Sequence, residues 1–244
     1  MVSAAQPGDP ALVLVAHGTR SARGVEMIAA LADAVAAELG VAVSSAPNTA
    51  LRTAFVDVLG PSPSEVLRDL DGPAVVVPAF LASGYHVYQD VPREVAESGH
   101  SAVAVTAAMG PDPALTAIMA VRLRAVGWKP GDAVVFAAAG SSDSRARQDV
   151  RRAAGMLAEQ LGAPVKIAYV ATGTPRVPEV VASLRESGAR VFIASYLLAH
   201  GLFHQRLHDA GADGVAEPIG VHPGVVRLIV DRYRSAAREL VGAR

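Results

Sequence analysis

Short apolar runs that end abruptly in polar loops recur along this chain. The clearest, LVLVAHGTR at residues 12–20, places four apolar residues and an alanine before His17. A run that is apolar at every position predicts a parallel strand buried on both faces. AVVVPAFL at residues 74–81 repeats the design and is followed by ASGYHVYQDVP, which contains His86. Both histidines are therefore expected at the carboxyl edge of one sheet, where open α/β sheets bind ligands.

Between these runs the apolar spacing changes to that of amphipathic helices. Helices are predicted from about residue 23 to 39, from 62 or 64 to 70, from 91 to 98 and from 112 to near 127. Further strands are predicted at 41–46 and 102–108, and a small apolar turn at 53–59. Gly40 suits a helix end, and Asp112-Pro113 suits a helix start. The alternation of strands and helices predicts an α/β fold with a mainly parallel sheet.

The pattern then starts again after a turn-rich junction. AVVFAAAGSSDSRARQD at 133–149 matches ALVLVAHGTRSARGVEM at 11–27, an offset of 122 residues. GVHPGVVRLIVDRYRSAA at 220–237 matches GPDPALTAIMAVRLRAVG at 110–127, an offset of 110. Two matched ends with a shorter middle indicate a duplicated unit. We predict two tandem domains, residues 1–127 and 128–244, with the boundary at 127–131.

The duplication provides an internal control for the two histidines. His17 corresponds to Ala139 in the second copy, and aligning Gly84 with Gly201 puts Phe203 opposite His86. A histidine needed only for packing would be equally useful in both copies. Their joint absence from the second copy predicts a single active site in the N-terminal half.

Composition removes several classes of function. The 244 residues carry a net charge of -1, which offers no general attraction to nucleic acid or to an anionic membrane. The absence of cysteine excludes disulfides, thiolate catalysis and cysteine-ligated metals. No apolar run approaches the roughly 18 residues of a membrane span, and the first ten residues do not resemble a secretory signal. No phosphate-binding nucleotide motif is present. A cytoplasmic protein without nucleotide, nucleic-acid or membrane partners is expected.

Several tracts together resemble one family: HGTR after a strand, AFVDVLGPSPSEVL, FLASGYHVYQDVP, and the G-x-x-P helix starts at 110 and 220. They are similar to class II tetrapyrrole chelatases, specifically the two-domain sirohydrochlorin chelatases of the CbiX and SirB type. The resemblance implies two flavodoxin-like domains whose parallel sheets face a central cleft. It also implies ATP-independent insertion of a divalent metal ion into sirohydrochlorin, in siroheme or cobalamin biosynthesis. Fe²⁺ and Co²⁺ are the expected metals, with Ni²⁺ as a further candidate.

The family's two histidines fall on His17 and His86, which are expected to serve as catalytic residues and as metal ligands. Metal insertion removes two pyrrole protons, so the site needs a base and a transient ligand. Neutral imidazole can do either, because its unperturbed pKa is about 6.5. Two histidines also leave a metal site open, whereas a structural zinc site uses four ligands.

The family's substrate is a polycarboxylate, which arginines and helix N-termini can hold. Arg20, Ser21 and Arg23 follow His17 in the loop, and Tyr85 and Tyr88 flank His86. We expect these five residues to bind the substrate. The alternatives are that the arginines are ordinary solvated charges and that the tyrosines are half-buried packing residues.

Other titratable residues near these tracts have simpler interpretations. Asp90 is predicted to cap the helix that follows Pro92, and Asp57 would be a third metal ligand only if residues 53–59 line the cleft. Spacing by four could put further histidines on one helical face, but Gly201 interrupts that helix, so surface positions are favoured over a metal site. These histidines are His200, His204 and His208.

Two other functions use the same residues. A metal-binding or metal-delivery protein would need the histidines but no grip on a polycarboxylate. A histidine-phosphatase-like hydrolase also has a strand ending in His-Gly, but here Ala16 occupies the place of the arginine that would bind phosphate. Because the duplication can replace a homodimer of single domains, a monomer is expected.

Overall fold

A computed structural model describes residues 9–43 and 50–242 of the chain. Within this part, strands and helices alternate as predicted. The strands are β1 Ala11–Ala16, β2 Leu51–Phe55, β3 Ala74–Pro78, β4 Val103–Val105, β5 Ala133–Gly140, β6 Val165–Thr172, β7 Val191–Tyr196 and β8 Gly214–Val215. The helices are α1 Ala22–Leu39, α2 Pro63–Arg68, α3 Val91–Ser98, α4 Pro113–Ala125, α5 Ser144–Leu161, α6 Val177–Glu186, α7 Leu202–His208 and α8 Pro223–Gly242.

The strands form two separate four-stranded sheets with the same topology. Their orders are β2-β1-β3-β4 and β6-β5-β7-β8, and every pair is parallel. The predicted pair of α/β units with parallel sheets is confirmed. The arrangement of the two sheets around a cleft stays a prediction.

In the first sheet, the apolar run of β1 occupies a central position. Leu12, Val13, Leu14 and Val15 are completely buried, which accounts for a run without polar alternation. β1 pairs with β3 so that Val15 lies beside Pro78. The two strands therefore end at the same edge, and the loops that follow them emerge together.

Equivalent glycines lie at the carboxyl end of the first strand of each unit, where another backbone segment comes close. Gly18 has φ +87° and a Cβ there would lie 2.1 Å from the carbonyl oxygen of Asp57. Gly140, at the offset of 122, has φ +99° and a Cβ there would lie 1.8 Å from the carbonyl oxygen of Thr172. Only glycine fits these close backbone approaches.

Contacts within the structure group the residues differently from the predicted boundary at 127–131. One compact unit contains residues 1–109 and 223–244, and the other contains residues 110–222. The helix α4 packs against α5 and β7, whereas α8 packs against α1, β3 and β4. Sequence repeats follow chain order, but burial of apolar helix faces decides which sheet a helix covers. The two equivalent helices are thus exchanged between the units.

Hydrogen bonds accompany this exchange. In the first unit, the Tyr233 hydroxyl of α8 donates to the carbonyl of Pro10 at 2.6 Å. Arg232 donates to the carbonyl of Met109 at 3.1 Å, and the equivalent Arg122 of α4 donates to the carbonyl of Ile219 at 2.8 Å. The same contact therefore anchors each exchanged helix within its own unit.

One local prediction also needs correction. Of the predicted strand at 41–46, residues 44–46 lie outside the described part, and Val43 forms only an isolated bridge with Leu51. The second strand is β2, where the charged Arg52 obscured the pattern; its buried side chain pairs with Asp69 at 3.2 Å. No helix in the described ranges is long and apolar enough to cross a membrane.

Candidate functional site

His17 and His86 come together at the carboxyl edge of the first sheet. Their ring centroids lie 4.4 Å apart with an interplanar angle of 57°. His17 directly follows β1 and is exposed, and His86 is half-buried in the loop region that follows β3. The convergence expected from the two strand ends is therefore present in the structure.

His86 is held by an unusual turn rather than by an open loop. Residues His86–Asp90 form a single π-helical turn that runs directly into α3. The amides of Val87 and Tyr88 both donate to the carbonyl of Gly84 at 3.1 Å. Single π-helical turns of this kind often occur at functional sites. The turn therefore fixes the backbone position from which the His86 side chain extends.

Aromatic rings also pack around the His86 imidazole. The ring of Phe80 stacks on it, with centroids 6.1 Å apart and an interplanar angle of 19°. Tyr85 approaches edge-on, also at 6.1 Å, with an angle of 84°. The imidazole is therefore part of a small aromatic cluster.

Asp90 contacts His86 directly, which corrects its predicted role as a helix cap. Its Oδ2 lies 2.6 Å from His86 Nδ1, and its Oδ1 accepts from the Arg93 guanidinium at 2.9 Å. The Asp90 carboxylate makes no capping hydrogen bond to the backbone of α3. The position of Asp90 before Val-Pro suggested a helix cap. Its spacing of four residues from His86 was the feature of the sequence that could have indicated the pairing of the two side chains.

The predicted substrate-binding residues all lie beside the histidine pair in sequence. Arg20 and Arg23 are exposed, at the start of α1, and Ser21 is half-buried. The Ser21 amide donates to Thr19 Oγ1 at 3.1 Å, and the Ser21 side chain does not cap the helix. Substrate binding by these three residues stays a prediction.

The two tyrosines do not behave as half-buried packing residues. Tyr85 is 58% exposed and Tyr88 is 46% exposed. Exposed aromatic side chains in these positions are suited to contact a flat ligand. Ligand binding by Tyr85 and Tyr88 also stays a prediction.

Asp57 contacts the histidine loop through its backbone. Its amide donates to the carbonyl of His17 at 3.1 Å, and its Oδ1 accepts from the amide of Val58 at 2.8 Å. Across residues 9–43 and 50–242, no group of three or more histidine, aspartate or glutamate side chains is placed to hold a metal ion. As placed, Asp57 does not complete a three-ligand site.

The histidines of the second unit are arranged differently, and one prediction about them is wrong. His204 is only 4% exposed, not a surface residue, and its Nε2 lies 3.2 Å from the carbonyl oxygen of Ala216. Its ring lies edge-to-face between those of His200 and His208, at 5.1 and 4.9 Å. Burial lowers the pKa of His204. The sequence did not reveal this because α7 starts after Gly201, which turns His204 inward.

Comparison with known sequences yields matches to one group of proteins. A family model described as CbiX matches residues 11–126 and 133–236. A curated relative, the sirohydrochlorin cobaltochelatase of Methanococcoides burtonii, is 29% identical over 86 residues. That match covers 34% of this chain and 60% of the relative, so the chain spans less than two thirds of the relative's length.

Comparison with solved structures shows the fold. SirB from Bacillus subtilis with Fe³⁺ superposes with a TM-score of 0.78 at 22% identity, covering 96% of this chain and 98% of SirB. SirB from Bacillus subtilis subspecies spizizenii with cobalt gives a TM-score of 0.73 at 21% identity, covering 96% and 97%. CbiX, described as the terminal enzyme of siroheme biosynthesis in denitrifying bacteria, gives 0.67 at 25% identity, covering 93% and 99%.

Proposed function

The chain belongs to the CbiX family, whose model matches most of its length, and from that premise we propose that it inserts a divalent metal ion into sirohydrochlorin. The observation that carries this proposal is the pair of imidazole rings of His17 and His86, 4.4 Å apart at the edge of the first sheet. Relatives named as cobaltochelatase, or solved with iron or cobalt, support Fe²⁺ or Co²⁺ as the metal substrate.

The paired histidines can divide the work of the reaction. Entry of the metal ion into the macrocycle displaces two pyrrole N–H protons, so metal delivery and proton removal must be coordinated. One imidazole nitrogen cannot hold a metal ion and accept a proton at the same time. With two rings side by side, one can carry the metal while the other accepts the two pyrrole protons one after the other and passes each to water.

The two-histidine arrangement also suits release of the metal. A closed four-ligand site retains its ion, whereas two protein ligands leave positions open for water and then for pyrrole nitrogens. Imidazole binds iron, cobalt and nickel alike, so the histidines themselves do not select the metal. Ni²⁺ is therefore included as a candidate.

Five residues beside the histidines are proposed to bind the macrocycle. Arg20 and Arg23 are exposed cations at the start of α1, where charged hydrogen bonds to carboxylates are favourable. Ser21 lies between them, at the helix N-terminus. Tyr85 and Tyr88 offer exposed rings on either side of His86. This combination matches a flat substrate with a carboxylate rim.

Finer features of the function are part of the same proposal. We propose that the reaction needs no nucleotide, because the sequence contains neither of the common phosphate-binding motifs. We propose a monomer because one chain already contains both copies of the unit. A cytoplasmic location is proposed from the absence of cysteine.

Anaerobic incubation with sirohydrochlorin and Co²⁺, Fe²⁺ or Ni²⁺ tests the proposal. The absorbance change on metal insertion is expected to be much faster with the protein than with metal and substrate alone, and to need no ATP. Tight Co²⁺ binding without faster insertion would contradict the proposal and favour a metal-delivery protein. Hydrolysis of a phosphomonoester instead would favour the hydrolase, although Ala16 is buried and offers no phosphate-binding cation.

A further inference from the structure

Three side chains form a line that ends on His86. The Arg93 guanidinium lies 2.9 Å from Asp90 Oδ1, and Asp90 Oδ2 lies 2.6 Å from His86 Nδ1. The Asp90 side chain is only 9% exposed, so water competes weakly for its oxygens. All three residues lie on the π-helical turn and the first turn of α3, which keeps their spacing fixed.

The donor and acceptor roles in this line follow from which groups can donate a hydrogen bond. A guanidinium only donates hydrogen bonds, so Asp90 Oδ1 must accept from Arg93. An ionised carboxylate only accepts, so His86 Nδ1 must be the donor to Oδ2. In a neutral imidazole that carries its proton on Nδ1, the lone pair is on Nε2.

We propose that Asp90 and Arg93 are positioning residues that hold the neutral His86 imidazole in the tautomer with its proton on Nδ1. The Nε2 lone pair is then always ready to bind a metal ion or to accept a pyrrole proton. Carboxylates that orient metal-binding histidines in this way fix both the tautomer and the ring orientation. This inference rests on the proposed function only for the participation of His86 in insertion.

Asp90→Asn is the decisive variant because Arg93 dictates how the new amide must lie. Arg93 can only donate, so the amide oxygen turns toward Arg93 and the amide NH₂ turns toward His86. His86 Nδ1 must then accept, and the imidazole proton moves to Nε2. The ring stays in place with its lone pair on the wrong side. An equivalent change in a serine protease triad reduces kcat by about 10⁴.

We expect Asp90→Asn to lower kcat for insertion by about 100-fold or more with little change in KM. Arg93→Ala alone should cost less, because the carboxylate still accepts from Nδ1. The double variant Asp90→Asn with Arg93→Ala should recover at least about tenfold over Asp90→Asn, since the free amide can turn its oxygen to His86. A purely structural role would make the double variant worse than either single one.

The second unit offers a matched control. Asp149 of α5 also has a nearly buried carboxylate paired with an arginine three residues later, Arg152, at 2.5 Å. Asp149→Asn removes the same kind of charge in a helix that carries no histidine. Insertion rates are expected to stay near normal in this variant.

The tautomer itself is measured independently of activity by ¹⁵N chemical shifts of the His86 ring at about pH 9, where an ordinary imidazole is neutral. The wild type should show the proton on Nδ1 and Asp90→Asn should show it on Nε2. A proton that stays on Nδ1 in Asp90→Asn, or a double variant without recovery, overturns the positioning role. A wild type that fixes the tautomer but does not catalyse insertion leaves the positioning intact and contradicts the proposed function instead.

Discussion

The carboxyl edge of the sheet carries different side chains in the two units of this protein. In the first unit, His17 and His86 place their rings 4.4 Å apart. In the second, Ala139 stands at the position of His17, and His204 of α7 is buried with its Nε2 3.2 Å from the carbonyl oxygen of Ala216. A histidine whose nitrogen already serves the backbone is a structural group. The contrast shows that burial and hydrogen bonding of an imidazole determine whether its nitrogens can reach a ligand.

Features shared by both units have structural explanations. Gly18 and Gly140 permit the same close backbone approach, and Arg122 and Arg232 make the same contact to a carbonyl. At the positions of His17 and His86, the second unit has Ala139 and Phe203 instead. Comparison of the two copies therefore distinguishes residues that the fold needs in both units from the histidines that occur in one unit only.

The largest expected effect comes from removing either histidine of the pair. His17→Ala and His86→Ala should each lower the insertion rate by about 100-fold or more, because each removes a ligand or base. Because we propose that the two rings act as one unit, the double variant should be little worse than the poorer single one. The measurement is the initial rate of metal insertion with each purified variant, together with its circular dichroism.

The control for that experiment lies in the other unit. His200→Ala and His208→Ala should retain near-normal rates, as neither residue belongs to the pair. Folded His17 and His86 variants that stayed active, together with a His200 or His208 variant that lost activity, would contradict an active site in the first unit.

A smaller effect is expected from the arginines at the start of α1. Because Arg20 and Arg23 are exposed, Arg20→Ala and Arg23→Ala should raise KM by about twofold to fivefold and change kcat less. Higher salt should reduce the difference from the wild type. Steady-state kinetics at low and high ionic strength measure this, and unchanged KM in both variants would assign the arginines to the solvated surface.

The smallest effect concerns stability in the second unit. Burial is the largest cause that lowers the pKa of His204; His208 and His200 lower it further, whereas the hydrogen bond to Ala216 and the charge of Glu217 raise it. The unfolded chain therefore binds a proton more readily, and stability present above about pH 6.5 is lost as the pH falls below it. His204→Gln should remove this part of the pH dependence, whereas His200→Gln should not. Urea unfolding at about pH 7.5 and about pH 5.5 provides the measurement; a His204→Gln curve that keeps the full pH dependence would contradict the assignment.

Much of the fold could be predicted because the informative residues are local. Unbroken apolar runs identified β1 and β3, and Gly40 and Asp112 marked helix ends that the structure reproduces. The convergence of His17 and His86 followed from one rule, that parallel neighbouring strands end at one edge. The duplication added the prediction that only one unit holds the pair.

The parts that the sequence did not reveal depend on contacts between distant or competing groups. Helix exchange places α4 and α8 by burial against strands far along the chain. Asp90 could pair either with the backbone amides at the start of α3 or with His86. The π-helical turn places its carboxylate against His86, which the sequence alone does not show. His204 turns inward because of where α7 begins, which its spacing alone does not fix.

We propose that the histidine pair of the first unit carries the metal ion that enters the substrate. The measurement for this role adds one molar equivalent of Co²⁺ to protein whose seven histidines are labelled with ¹⁵N, and then adds sirohydrochlorin. Paramagnetic broadening is expected to remove the ring signals of His17 and His86 first, and both signals should return as the cobalt-containing product forms and leaves the site. Broadening that begins at His200, His204 or His208, or that persists at the pair after product has formed, would contradict it.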